Sequence, residues 1–185
     1  TGVAPQRAGN AHQNIVPYQV FEVAASPDGQ KDHLILAVGN DGQFAKFCEV
    51  AGRPDLAKDP RYVRNQDRVR HRAELVPLLA EIMMQRTKAD WLSALEAAKV
   101  PCGAINNLGE VFADPQVQSR EMVTRWEHPL HPDVPLVSSP IKLSATPVRA
   151  DLPPPLLGQH TEEVLRDLLK VDDQRVAALR EGKVI

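Results

Sequence analysis

Cysteine is scarce in this 185-residue chain, with only Cys48 and Cys102, 54 residues apart, and neither forms a CxxC pair or a finger-spaced Cys/His set. That excludes a secreted disulfide scaffold and argues against structural zinc, so the chain is expected in a reducing, cytoplasmic compartment. A surplus of positive charge is also missing. Lys and Arg number 22 against 24 Asp and Glu, a net charge of -2, which leaves no basic field for a nucleic-acid backbone and so no nucleic-acid partner is expected. No window approaches the roughly 18 consecutive apolar residues of a membrane helix, and no membrane partner is expected. Aromatic residues make up 4%. Neither GxSxG, a Walker loop, GxGxxG nor HExxH occurs, so motif-borne hydrolase, nucleotide and zinc chemistries have no foothold.

The remaining composition, 43% hydrophobic and 25% charged, is that of an ordinary soluble globular protein. Residue 1 is Thr with no signal-peptide core near it, which suggests a chain numbered from an internal point of something larger. Proline is unevenly spread. Eight of the 16 fall between Pro129 and Pro155, where edge strand and extended connection are expected because proline lacks an amide donor.

The first fourteen residues are polar and turn-rich and read as a loop or arm. Two β-branched runs, Ile15 to Phe21 and His33 to Val38, flank Pro27-Asp28-Gly29 and predict a β-hairpin. Asp41 stands where it would cap a helix burying Phe44, Phe47, Cys48 and Ala51, and the same carboxylate facing a cleft would serve as an acid or base. A long amphipathic segment follows through Val69, Ala73, Val76, Ala80 and Met83, with a kink or break expected near Ala73 because Pro77 lies one turn on. Thr87 to Asp90 has capping-box form ahead of Trp91, Leu92, Leu95 and Ala98. VPCGAI predicts a brief strand, and Asn107 and Asp114-Pro115 open two short helices. MVTRWEH, PLVSS and IKLS are strand-like, and helices are expected after His160 and after Asp172, the last ending at Gly182.

Among candidate chemistries, His128 and His131 are the only close histidine pair and lack a third ligand, so no metal is expected. The arginines 61, 64, 68, 70 and 72 interleave with Asp59, Asp67 and Glu74, a mixed-charge run that reads as a solvated face. Cys102 reads as a small buried hydrophobe rather than a nucleophile. In Gly9-Asn10-Ala11-His12-Gln13, small residues beside amide and imidazole groups let a backbone approach a ligand and offer donors to developing negative charge.

Taken together, GNAHQNIVPYQVF, LAVGNDGQFAKFCEVAGRPDLAKDPRY, VPCGAIN, EVFADPQVQSR, VPLVSSPIKLSATP and PPLLGQHTEEVLRDLL resemble consecutive blocks of the class III coenzyme A transferases, the CaiB/BaiF type, from about Gly9 to the C-terminus. The resemblance implies an α/β fold: a linker and glycine-loop equivalent over 1–17, a small inserted α/β domain with antiparallel strands and helices over 18–99, and the C-terminal return segment of a Rossmann-like large domain over 100–185. It implies an interlocked homodimer, with the proline-rich stretch crossing a partner surface. Its reaction moves CoA from acyl-CoA to a carboxylate through an aspartyl anhydride and an aspartyl thioester, and no metal takes part.

No block around an aspartate here matches the nucleophile's surroundings, so the nucleophile is expected outside this chain and the chain alone is expected to be inactive. The family's glycine-rich loop maps onto Gly9 to Gln13, with Gly9 and Gln13 matching by type and Asn10, Ala11 and His12 departing. Related α-methylacyl-CoA racemases carry an acidic residue in a VG…E-x-Q-F block, and Asp41 in VGNDGQF falls one residue short of it, which favours transferase. The alternatives are that racemase or epimerase branch, with Asp41 exchanging an α-proton, and a truncated binding or assembly module without chemistry.

Overall fold

The computed structural model describes all residues except Thr1, Val3, Pro5, Gln6 and Ala150, so part of the expected N-terminal arm lies outside the described residues. The chain divides into two compact units, residues 1–107 and 108–185. Each is mixed α/β with a small antiparallel sheet.

In the first unit the hairpin forms as β1 (Tyr18–Val23) and β2 (Asp32–Ala37). Its turn is made by local groups: Gly29 N–H donates to Ser26 O at 2.8 Å, and the Ser26 hydroxyl engages the Asp28 carboxylate. Gly29 has φ +79°, a conformation that favours glycine. Phe21 faces Leu34 across the ladder, both fully buried, and Val23 and Leu36 continue the same alternation.

Helix α1 (Asp41–Val50) buries Phe44, Phe47 and Cys48 as the spacing predicts. Its cap is Asn40, not Asp41: the Asn40 side chain accepts from Gln43 N–H at 2.9 Å. A 3-10 turn at Leu56–Lys58 leads to α2 (Asn65–Arg70) and α3 (Arg72–Met83). The break falls at His71, close to the expected position, and Pro77 sits inside α3. The break also resets the helical phase. The buried face of α3 is Leu75, Leu79, Ile82 and Met83, while Ala73 is exposed, so the continuous stripe through Val69 and Ala73 is corrected.

Thr87 caps α4 (Lys88–Ala97), accepting from Asp90 N–H at 3.2 Å while its hydroxyl donates to the Asp90 carboxylate at 2.7 Å. Trp91 packs on Phe47 and donates its indole N–H to Met83 O at 2.8 Å, satisfying a carbonyl at the end of α3. Strand β3 (Cys102–Ile105) then pairs with β2, giving the order β1-β2-β3. Val100 is buried in this core, and the compact unit runs to Asn107.

In the second unit, Asp114 accepts from Gln116 and Val117 N–H to join α5 (Leu108–Ala113) to α6 (Pro115–Ser119). Strands β4 (Val123–His128) and β5 (His131–Val137) form a two-stranded ribbon, where Pro132 and Pro135 are tolerated because β5 has a single partner. IKLS forms no strand. The helix after His160 is one turn, α7 (Thr161–Glu163), followed by a π turn at Val164–Leu168. Asp172 caps α8 (Asp173–Glu181) through Arg175 N–H at 2.7 Å. Among the described residues no helix is long and apolar enough to cross a membrane.

Candidate functional site

Among the described residues strand β1 pairs only with β2, so its outer edge offers unused donors and acceptors. The Gly9–Gln13 loop takes up part of that edge. His12 N–H donates to Tyr18 O at 2.9 Å, and Val20 N–H donates to the Asn10 side-chain carbonyl at 3.1 Å. Gly9 has φ +63° with open space around it, and Ala11 N–H closes the turn on Ala8 O at 3.1 Å. The His12 ring stacks on Tyr18 at 5.5 Å. Its Nδ1 accepts from Asn14 N–H at 3.0 Å, which places the proton of the neutral ring on Nε2 and makes Nε2 a donor.

The other side of the loop is held from α2 and α3. Arg72 Nη2 donates to His12 O at 3.0 Å and Gln13 O at 2.7 Å. Asn65 donates from Nδ2 to Asn14 O at 2.8 Å and accepts from Val16 N–H at 3.1 Å. Arg68 donates from Nε to Val16 O at 2.6 Å. Backbone groups of His12, Gln13, Asn14 and Val16 are thus fixed by three side chains on neighbouring helices.

Arg68 is fully buried, which corrects the solvated-face reading at that one position, while Arg61, Arg64 and Arg70 are exposed as expected. Its guanidinium lies 4.4 Å from the Phe44 ring centroid, and it also donates to Tyr62 O at 2.8 Å and to Asp41 Oδ1 at 2.9 Å. Burial pushes its pKa below the ordinary value, with the Asp41 carboxylate opposing that shift. Asp41 Oδ1 in turn accepts from Asn65 N–H at 2.8 Å. The aspartate therefore serves the first amide of α2 instead of its own helix, and reaches the loop only through Arg68 and Asn65.

Of the predicted site residues, Asn10 and His12 bond to β1, Gln13 is held by Arg72, Gly9 lies in the turn before them, and Asp41 is joined to the loop through Arg68 and Asn65. Asn65, Arg68 and Arg72 were missed; the arginines were visible only as members of a charge run. Because the amides of Ala11 and His12 are spent on Ala8 and Tyr18, the loop's remaining donors include the Asn10 and Gln13 amides and His12 Nε2. Beside the loop, the first turns of α3 bound an open groove of about 720 Å³.

Elsewhere the residues offer less. His128 Nδ1 and His131 Nδ1 each accept a nearby backbone N–H, from Leu130 and Asp133, both at 3.1 Å. No cluster of three His, Cys, Asp or Glu capable of holding a metal occurs among the described residues. Burial pushes the Cys48 thiol up to about 12 and also raises that of half-buried Cys102, which opposes thiolate nucleophile chemistry.

The sequence model for CoA-transferase family III matches residues 1–161. The chain belongs to that family. Among its relatives, the succinate–glutarate CoA-transferase of Agrobacterium fabrum is 42% identical over 93% of this chain and 42% of its own length. The human succinyl-CoA:glutarate CoA-transferase is 36% identical over 97% of this chain and 40% of its own length. A crystal structure of a CaiB/BaiF family protein from Brucella suis superposes with a TM-score of 0.73 at 39% identity, covering 91% of this chain and 42% of that one. The chain thus spans about two fifths of the length of these relatives.

Proposed function

We propose that this chain is the C-terminal part of an acyl-CoA:carboxylate CoA-transferase that moves CoA between short dicarboxylic acids, working as an interlocked homodimer in the cytoplasm. The observation that carries this reading is the 42% identity, over nearly the whole chain, to a succinate–glutarate CoA-transferase. In the proposed cycle an aspartate outside this chain attacks the acyl-CoA carbonyl and releases the thiolate. The thiolate then attacks the aspartyl carbonyl of the resulting anhydride, freeing the first acid and leaving an aspartyl thioester; the acceptor carboxylate reverses both steps.

The Gly9–Gln13 loop borders the reacting carbonyl in this scheme. Its contribution is a set of side-chain donors, Asn10, His12 and Gln13, held in place by Arg72, Asn65 and Arg68, so that little reorganisation is needed as negative charge develops. The second unit belongs to the large domain's return.

The test is incubation of the full-length protein containing this chain with succinyl-CoA and glutarate, followed by mass-detected chromatography. Free succinate and glutaryl-CoA are expected in equal amounts. Absence of a new acyl-CoA with any carboxylate acceptor overturns the reading, and α-deuterium wash-in without an acceptor assigns the protein to the racemase branch.

A further inference from the structure

Among the described residues, four of the eight arginines in the first unit form ion pairs, and two of the other four share the groove beside the loop. Arg53, Arg61, Arg68 and Arg70 each pair with a carboxylate, from Asp55, Asp59, Asp41 and Asp67 respectively. Arg7 and Arg72 form no ion pair among the described residues, and both line this one groove, where no aspartate or glutamate accompanies them. Two guanidinium groups facing the same open space without a counter-charge raise the local affinity for an anion.

Arg72 is also held at a fixed angle. Its Nη2 is committed to the His12 and Gln13 carbonyls, while Nε and Nη1 have no acceptor among the described residues. Both two-nitrogen edges of the guanidinium include Nη2, so what remains is single N–H donors on Nε and Nη1. Their orientation is set before any ligand arrives, which lowers the entropic cost of holding a carboxylate. Gln19 adds an amide, and Val76 and Pro77 supply an apolar wall. The combination suits a carboxylate joined to a few methylenes: the charged end meets the arginines and the methylenes lie against Val76 and Pro77.

We propose that this groove is the subsite for the remote carboxylate of the acceptor acid, with Arg7 and Arg72 holding it while the reacting carboxylate lies at the loop. This rests on the CoA-transfer reading. It makes dicarboxylate preference a property of residues in this chain, and it links specificity to the loop, because Arg72 binds the loop backbone with one nitrogen and borders the groove.

The experiment compares glutarate with pentanoate, which has the same carbon count and no second carboxylate, as acceptors for the full-length enzyme. Variants are Arg7→Gln and Ala73→Asp, the latter placing a negative charge at an exposed position of α3 that lines the groove. The glutarate-to-pentanoate ratio of kcat/KM is expected to fall about tenfold in Arg7→Gln, the worth of one charge-assisted hydrogen bond, and at least as far in Ala73→Asp, through KM for glutarate. An unchanged ratio with turnover intact overturns the proposal. So does an equal loss for both acceptors with a raised KM for succinyl-CoA, which assigns the groove to a CoA phosphate. If the wild-type protein transfers no CoA, the reading above fails by itself. Calorimetric titration then decides the groove: glutarate binding that Arg7→Gln abolishes and pentanoate does not reproduce supports the anion subsite, and no glutarate binding overturns it.

Discussion

The two units differ in what they do with their apolar residues. Among the described residues, nineteen of the twenty buried apolar side chains lie before Leu108, and only Val176 lies after it. The second unit instead exposes Leu108, Leu130, Leu152, Leu157 and Leu168, each more than 70% accessible. Both units have side-chain helix caps, at Asn40 and Thr87 in the first and at Asp114 and Asp172 in the second. Caps and tight turns need only neighbouring residues, whereas a core needs faces that converge from distant parts of the chain. The first unit meets both requirements and the second meets mainly the local one.

The largest expected effect breaks the first unit at its buried cation. Arg68→Ala leaves the Val16 and Tyr62 carbonyls without their donor, frees Asp41 of its partner and opens a cavity against Phe44. Loss of about 3–5 kcal/mol is expected, from buried carbonyls left unsatisfied and the cavity opened in the core, with little added by the half-exposed Asp41. Each unit carries its own tryptophan, Trp91 in the first and Trp126 in the second. Urea unfolding followed in Trp126→Phe and Trp91→Phe backgrounds separates the two. The substitution should move the Trp91 transition and leave that of Trp126 in place; a shift under about 1 kcal/mol would sink the structural role of Arg68.

Why Arg68 escaped the sequence is a matter of range. Its acceptors include the carbonyl of Val16, 52 positions away, and no local window contains that pairing. What remained visible was a charge run, and charge runs are usually solvated. The face of α3 was misplaced for a related reason, since a stripe carried on from Val69 keeps the phase of α2, and the break at His71 discards it. By contrast, the turn at Pro27-Asp28-Gly29, the Thr87 cap, the Asp114-Pro115 start and the Asp172 cap were legible because each is complete within four residues. In the candidate site the loop was legible through a family resemblance. The helices that hold it were not, because Asn65 and Arg72 act on carbonyls about fifty to sixty positions earlier.

A smaller effect sharpens the second half of the comparison. Exposed leucines over so thinly buried a unit should drive association of this chain in solution. Sedimentation velocity is expected to show concentration-dependent species, reduced in Leu152→Ser/Leu157→Ser. Because both side chains are exposed, the Trp91 transition should shift by no more than about 0.5 kcal/mol. A monodisperse monomer at high concentration would show that the exposed faces do not associate.

The smallest expected effect is a pH dependence confined to the first unit. Cys48 is buried beside Phe44 and Phe47 on α1, and desolvation raises its thiol from an ordinary 9.0 to about 12. Above pH 9 the unfolded chain releases this proton while the folded chain keeps it, so the unfolded state binds fewer protons and stability falls as pH rises. The contribution is complete below pH 9 and is lost progressively toward pH 12. Tyrosine and lysine titrations add their own slope, but they are common to the wild type and Cys48→Ala. Between pH 9 and 10.5 the Trp91 midpoint should therefore fall more steeply in the wild type than in Cys48→Ala, even though the variant starts lower because it opens a small cavity. The second unit contains no cysteine, so the Trp126 midpoint should have the same slope in both proteins. Equal slopes at Trp91 would mean that water reaches Cys48 and that the first unit's core is looser than its packing implies.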